Sequence, residues 1–273
     1  MAESPGARFE SLLSLMARLR GDGGCPWDRA QTRDSLKPYL IEEAYEVLQA
    51  IDEGGQDHLV EELGDLLFQV VFHCQIAGER GEFTMADVLE RLSDKMTRRH
   101  PHVFGDRVVA DAREALAQWE RIKRDEGAGG GAASVLDGVP RTLPALLRAQ
   151  RLQVKAARVG FDWTVWQEAW KKVQEEMAEV DEALARGDAA RVEDELGDLL
   201  FSMVNVARLQ GIDAEDCLRR AADKFTRRFR EVEAEMRAGG RTVSDASAEE
   251  LDRAWEAAKA REPHAPTETE PGR

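Results

Sequence analysis

A chain of 273 residues, 42% of them hydrophobic and 33% charged, can form two domains of ordinary size built from amphipathic helices with solvated outer faces. Its formal net charge of −15 excludes non-specific nucleic acid binding, and it would repel free nucleotides too unless cations reversed the sign at one spot. Few β-branched runs and little strict alternation argue against sheet, and no apolar run approaches the ~18–20 residues of a membrane span. The expected fold class is therefore all-α, with no nucleic acid or membrane partner. Cys25, Cys74 and Cys217 form no CxxC pair and read as reduced thiols. No basic-then-apolar leader is seen at the N-terminus, so the expected location is cytoplasmic.

The stripe Phe9, Leu12, Leu13, Met16 and Leu19 predicts an amphipathic helix over 5–20. Four main helices follow, over 35–53, 57–78, 84–99 and 110–125, with a turn at Gly54-Gly55 and an N-cap at Thr84. Residues 127–139 begin with Gly127-Ala128-Gly129-Gly130-Gly131, a flexible linker composition. Residues 135–163 lead into a second set of helices over 165–186, 188–210, 213–237 and 247–260, with a turn at Gly187-Asp188 and an N-cap at Ser247. The expected domains are 1–126, 127–139 as linker and 140–262, with a Pro/Thr/Glu-rich, disordered tail at 263–273.

The second set repeats the first. Glu61-Glu62-Leu63-Gly64-Asp65-Leu66-Leu67-Phe68 returns as Asp194-Glu195-Leu196-Gly197-Asp198-Leu199-Leu200-Phe201, an offset of 133 (195 minus 62). Glu42-Glu43-Ala44-Tyr45-Glu46 returns at the same offset as Glu175-Glu176-Met177-Ala178-Glu179. Asp94-Lys95-Met96-Thr97-Arg98-Arg99 returns as Asp223-Lys224-Phe225-Thr226-Arg227-Arg228, and Trp119-Glu120 as Trp255-Glu256. A period this long marks a duplicated domain rather than a solenoid.

Residues three apart share a helix face, and a short turn makes the two helices antiparallel. Glu176 and Glu179 can therefore converge with Glu195 and Asp198, and Glu43 and Glu46 with Glu62 and Asp65. A lone ExxE is usually a solvated acidic face. Here the ExxD sits in an apolar run, which predicts partial desolvation of Asp65 and Asp198. Gly64 and Gly197, mid-helix, cost roughly 0.5–1 kcal/mol each against Ala, which suggests close approach by a ligand or by a tightly packed helix. Two carboxylates about 5 Å apart repel by roughly 3 kcal/mol at an effective dielectric near 20, so four of them need a cation. All-oxygen ligands favour Mg²⁺ or Mn²⁺ over zinc. Lys224 and Arg228, like Lys95 and Arg99, share a helix face and suit phosphoryl oxygens, although a solvated cationic face reads equally well. Trp119 and Trp255 fit base stacking or core packing. His100-Pro101-His102 is a weak metal candidate that reads more readily as a plain turn. No P-loop or dinucleotide fingerprint is present.

The pattern EExxE followed by ExxD, with Cys25-Pro26-Trp27-Asp28, His100-Pro101-His102-Val103-Phe104 and Val159-Gly160-Phe161-Asp162-Trp163, resembles the MazG nucleotide pyrophosphohydrolases over nearly the whole chain. The resemblance implies two tandem helical modules and hydrolysis of nucleoside triphosphates with a broad base range to monophosphate and pyrophosphate. It implies metal ligands at Glu176, Glu179, Glu195 and Asp198, and nucleotide contacts over Lys172 to Glu176, over Lys224 to Arg228, and at Trp255. It also implies a homodimer with catalysis in the C-terminal copy. Copy one keeps the corresponding carboxylates, Lys95, Arg99 and Trp119, but has Tyr39 opposite Lys172. Glu175 or Glu176 is the expected general base, and Lys224 and Arg228 the groups that neutralise the leaving pyrophosphate. The alternative is a non-catalytic module that binds nucleotides or dimerises.

Overall fold

The computed structural model describes residues 4–128 and 134–261. Residues 129–133 of the expected linker and the expected tail at 263–273 lie outside the described residues. The regular elements among the described residues are all helical, and the chain divides into two compact units, Met1–Gly129 and Gly130–Arg273.

In the first unit α1 (Pro5–Arg20) and the short α2 (Pro26–Ala30) precede a hairpin of α3 (Lys37–Glu53) and α4 (Gln56–Glu79). Gly54 ends α3 with φ 74°, a left-handed conformation that only glycine adopts without strain. Then follow α5 (Met85–Arg99), α6 (Pro101–Phe104) and α7 (Ala112–Ala128). Thr84 caps α5 in a reciprocal box with Asp87, worth about 1 kcal/mol. The core gathers Met16 of α1, Leu36, Val71 and Phe72 of α4, and Met85 of α5. The Phe72 ring meets Phe68 edge-on at 6.0 Å and lies 5.3 Å from the Arg20 guanidinium.

The second unit consists of α8 (Ala145–Ala157), the hairpin α9 (Trp166–Arg186) and α10 (Ala189–Leu209), then α11 (Ala214–Ala238) and α12 (Ala248–Arg261). Gly187, φ 68°, ends α9, and the Asp188 side chain caps α10 through the Arg191 N–H. Ser247 and Glu250 cap α12 reciprocally. Helix α8 packs on both α10 and α11, and α11 on α12.

Two expectations need correction. Residues 145–157, read only as a lead-in, form α8, whose Leu, Ala, Gln and Arg content favours helix. The expected plain turn at His100–His102 opens a one-turn helix, because Pro101 at its first position has the φ that a helix requires and no N–H to leave unpaired.

Candidate metal and nucleotide site

Each hairpin brings its carboxylates together for a simple reason. Glu179 stands eight residues before Gly187 and Glu195 eight after it; Glu46 and Glu62 flank Gly54 in the same way. Residues equidistant from an antiparallel turn lie level with one another. In copy two, Glu176, Glu179 and Glu195 each offer a carboxylate oxygen within 4.8 Å of the others. In copy one the corresponding group is Glu43, Glu62 and Asp65. Asp198 and Glu46 are not members of these groups.

Burial differs from expectation. The partly desolvated carboxylates are Glu62, Glu176 and Glu195, whereas Asp65 and Asp198 are exposed, as are most of the leucines around them. The apolar run in α4 and α10 faces outward at these positions, so it does not shield the aspartates. At Gly64 and Gly197 an added Cβ would meet nothing within 4 Å. Tight packing within the described chain is therefore not the reason for these glycines, and the surface before Gly197, Glu195 and Asp198 is an open concavity.

Copy two carries its own counter-charges. Lys172 Nζ lies 2.6 Å from Glu176 and 2.7 Å from Glu175, which hold its ammonium above the usual lysine range, and Arg191 Nε lies 3.1 Å from Glu195. Glu176 is only 3% exposed and its second oxygen, Oε2, is buried without a partner. A hydrogen bond shared with Glu195, together with that group's charge, raises the Glu179 carboxyl above the usual range. Glu179 is thus the least compensated of the three. An orphaned buried carboxylate oxygen among converging carboxylates is what an oxygen-liganded divalent cation fits.

Copy one answers the same problem differently. His58 stands at the position of Arg191 and bridges Glu62 (3.1 Å) and Glu53 (3.2 Å). Gln69 donates to Glu43 at 3.3 Å, and burial raises the Glu43 carboxyl. Tyr39, at the position of Lys172, packs edge-on against Trp27.

The expected phosphate cations lie on the helix that follows each hairpin, α5 and α11. Lys224 and Arg228 lie on α11, and the Arg228 guanidinium is 5.9 Å from the Trp255 ring, which also packs on Phe225. In copy one Arg99 lies 5.4 Å from the Trp119 ring and is engaged by Glu126 at 2.6 Å, as is Arg98. Both arginines hold the Glu126 carboxyl down at about 2. Lys95 is half-buried on the same helix. One residue beside the carboxylates escaped the sequence reading. Arg191 could have been found as the i−4 partner of Glu195.

An all-helical hairpin with an ExxE pair facing an ExxD pair, repeated in tandem, defines a class of duplicated carboxylate-rich helical modules suited to a divalent cation. The MazG nucleotide pyrophosphohydrolase domain matches residues 31–104 and again residues 167–232. The chain is 47% identical over 258 residues to the nucleoside triphosphate pyrophosphohydrolase of Escherichia coli K12, covering 93% of this chain and 98% of that protein. It is 47% identical over 254 residues to the nucleoside triphosphate pyrophosphohydrolase/pyrophosphatase MazG of Thermotoga maritima, covering 93% and 96%. A solved MazG-related protein from Thermotoga maritima aligns over 42% of this chain and 98% of its own, with a TM-score of 0.37 and 26% identity. The chain belongs to the MazG nucleotide pyrophosphohydrolase family.

Proposed function

We propose that this protein hydrolyses nucleoside triphosphates and their deoxy counterparts, with a broad base range, to the monophosphate and pyrophosphate, using Mg²⁺ (or Mn²⁺) in the C-terminal copy. The observation that carries this reading is the convergence of Glu176, Glu179 and Glu195 within 4.8 Å, with an orphaned Glu176 oxygen among them. Family membership and the names of the relatives support it.

In this reading Glu176, Glu179 and Glu195 would hold the cation, with Asp198 as a further oxygen ligand. The bound cation would polarise phosphoryl oxygens and lower the pKa of a water. Glu175, outside the ligand group and oriented by Lys172 at 2.7 Å, accepts the proton of the attacking water. Lys172 passes from the carboxylates to the triphosphate as substrate enters. Lys224 and Arg228 of α11 neutralise charge on the leaving pyrophosphate, and Trp255 fixes the Arg228 guanidinium that it faces. Copy one, with Tyr39 in place of Lys172, plays a supporting part.

A homodimer belongs to the same reading. In the second unit the largest fully buried side chains are valines, Val173 and Val204, while Met177, Leu184, Leu196, Leu200 and Met203 of α9 and α10 are exposed. An apolar surface of that kind favours self-association. A cytoplasmic setting suits a nucleotide substrate and three free cysteines.

The test is to incubate the protein with each NTP and dNTP, with and without Mg²⁺, and to assay pyrophosphate and monophosphate. Both products are expected in equal amounts, and only with the metal. Nucleotide bound without product would make the protein a binding module instead.

A further inference from the structure

In a chain of net charge −15, a lysine left half-buried without a carboxylate needs a reason. Lys95 of α5 is such a residue: it makes no hydrogen bond or ion pair among the described residues. It stands one turn before Arg99, and residues four apart share a helix face. Arg98 and Arg99 lie in the last turn of α5, where cations suit the helix macrodipole. Lys95 lies outside that turn, so the macrodipole does not account for it.

The two arginines already hold an anion, and the chain itself supplies it. Arg98 Nε donates to Glu126 Oε1 at 2.6 Å, and Arg99 donates to Oε2 from Nε at 2.9 Å and from Nη2 at 2.6 Å. Glu126 lies in the last turn of α7, where an acidic side chain faces the negative end of the helix. Its position is unfavourable for α7 and is explained by the arginines. Two guanidinium groups forked around one anion form the arrangement that takes phosphoryl oxygens.

The Trp119 indole completes the group. The Arg99 guanidinium lies 5.4 Å and the Lys123 ammonium 5.1 Å from its ring centre, within the reach of a cation–π contact. An indole that carries two cations orients them and is not a surface for a base. The ligand that fits is therefore a phosphate chain without a nucleoside. A carboxylate offers two acceptor oxygens and one charge; pyrophosphate offers more of both, enough to engage Lys95 as well as the arginines.

We infer that α5 and α7 of copy one form a pyrophosphate site, built from Lys95, Arg98 and Arg99 and closed by Glu126 as the chain's own substitute for the anion. Pyrophosphate takes both guanidinium groups from Glu126 and adds Lys95, and Trp119 reports the exchange. The choice of pyrophosphate rests on the proposed pyrophosphohydrolase reading, in which copy two releases that anion; the anion site itself does not. Copy one then holds the product of copy two instead of repeating its chemistry.

The test titrates inorganic pyrophosphate against the tryptophan fluorescence of the full chain, in EDTA and low salt, with Trp119→Phe identifying the reporter. Glu126→Gln, or Glu126→Ala should the amide disturb the helical content, is expected to bind roughly 5- to 30-fold more tightly than the wild type, because the competition of two partly exposed ion pairs is gone. Lys95→Met in the same background should weaken binding roughly 5-fold. Equal affinity in the wild type and the Glu126 variant overturns the inference, as does an unchanged affinity in Lys95→Met or a signal that survives in Trp119→Phe. Tighter binding of a non-hydrolysable nucleoside triphosphate would make the group a nucleotide site and overturn the assignment to pyrophosphate. The titration involves neither metal nor turnover. Pyrophosphate bound here by a protein that hydrolyses no nucleotide would sink the enzymatic reading and leave the site standing, and hydrolysis by a protein whose Glu126 variant binds no pyrophosphate would do the reverse.

Discussion

Lys172 offers a sensitive probe of the carboxylate group. Its ammonium lies 2.6 Å from a Glu176 that is almost wholly buried. Lys172→Met would leave a buried carboxylate facing Glu179 and Glu195 with one fewer counter-charge. Removing one partner of a fully buried pair costs about 3–5 kcal/mol. The Lys172 side chain is 36% exposed, so water already screens part of the interaction, and the expected loss is about 1–2 kcal/mol in metal-free buffer. A divalent cation is an alternative counter-charge. At a concentration 100 times its Kd it stabilises the folded state by about 2.7 kcal/mol, and the more negative variant should bind it more tightly than the wild type. Urea denaturation with EDTA and again with Mg²⁺ measures both effects. The variant should be the less stable protein in EDTA, and the gap should narrow or close in Mg²⁺. An equal gap in the two buffers would mean that cation and lysine do not answer the same charge, and the metal assignment would fail.

Other outcomes follow from other residues. Glu126, held at about 2 by Arg99 and Arg98 against an ordinary 4.5, contributes stability that is present above about pH 4.5 and lost as pH falls through about 2. The stability difference between wild type and Glu126→Gln should accordingly shrink over that window in acid titrations followed by circular dichroism. Phe72→Ala removes a fully buried ring and should destabilise the first unit by about 3–5 kcal/mol, seen as an earlier unfolding transition. Thr84→Ala removes the side-chain half of a capping box, the acceptor of the Asp87 N–H, and should cost about 1 kcal/mol in the same assay.

The helices were readable because period, caps and turn glycines agreed. Gly54 and Gly187 end their helices where the sequence placed the turns, and Thr84 caps as expected. Residue spacing and the position of Gly187 brought Glu176, Glu179 and Glu195 together, whereas Asp198, the fourth expected member, lies outside the group. What spacing could not supply was burial. The apolar run around Asp198 suggested a shielded carboxylate, yet that run faces outward and Glu176 is the buried one, because burial depends on which neighbour covers the helix. Helix α8 went unread because Pro144 precedes it in place of the Ser or Thr cap that marked α5 and α12, so no start signal announced it.

The central claim is that the carboxylates of α9 and α10 carry the hydrolysis. The most direct measurement is pyrophosphate release with saturating Mg²⁺ in two matched variants, Glu179→Ala and Glu46→Ala, whose helical content is verified first. The account predicts that Glu179→Ala releases no pyrophosphate above background and that Glu46→Ala keeps most of the wild-type rate. Wild-type turnover in Glu179→Ala would contradict it.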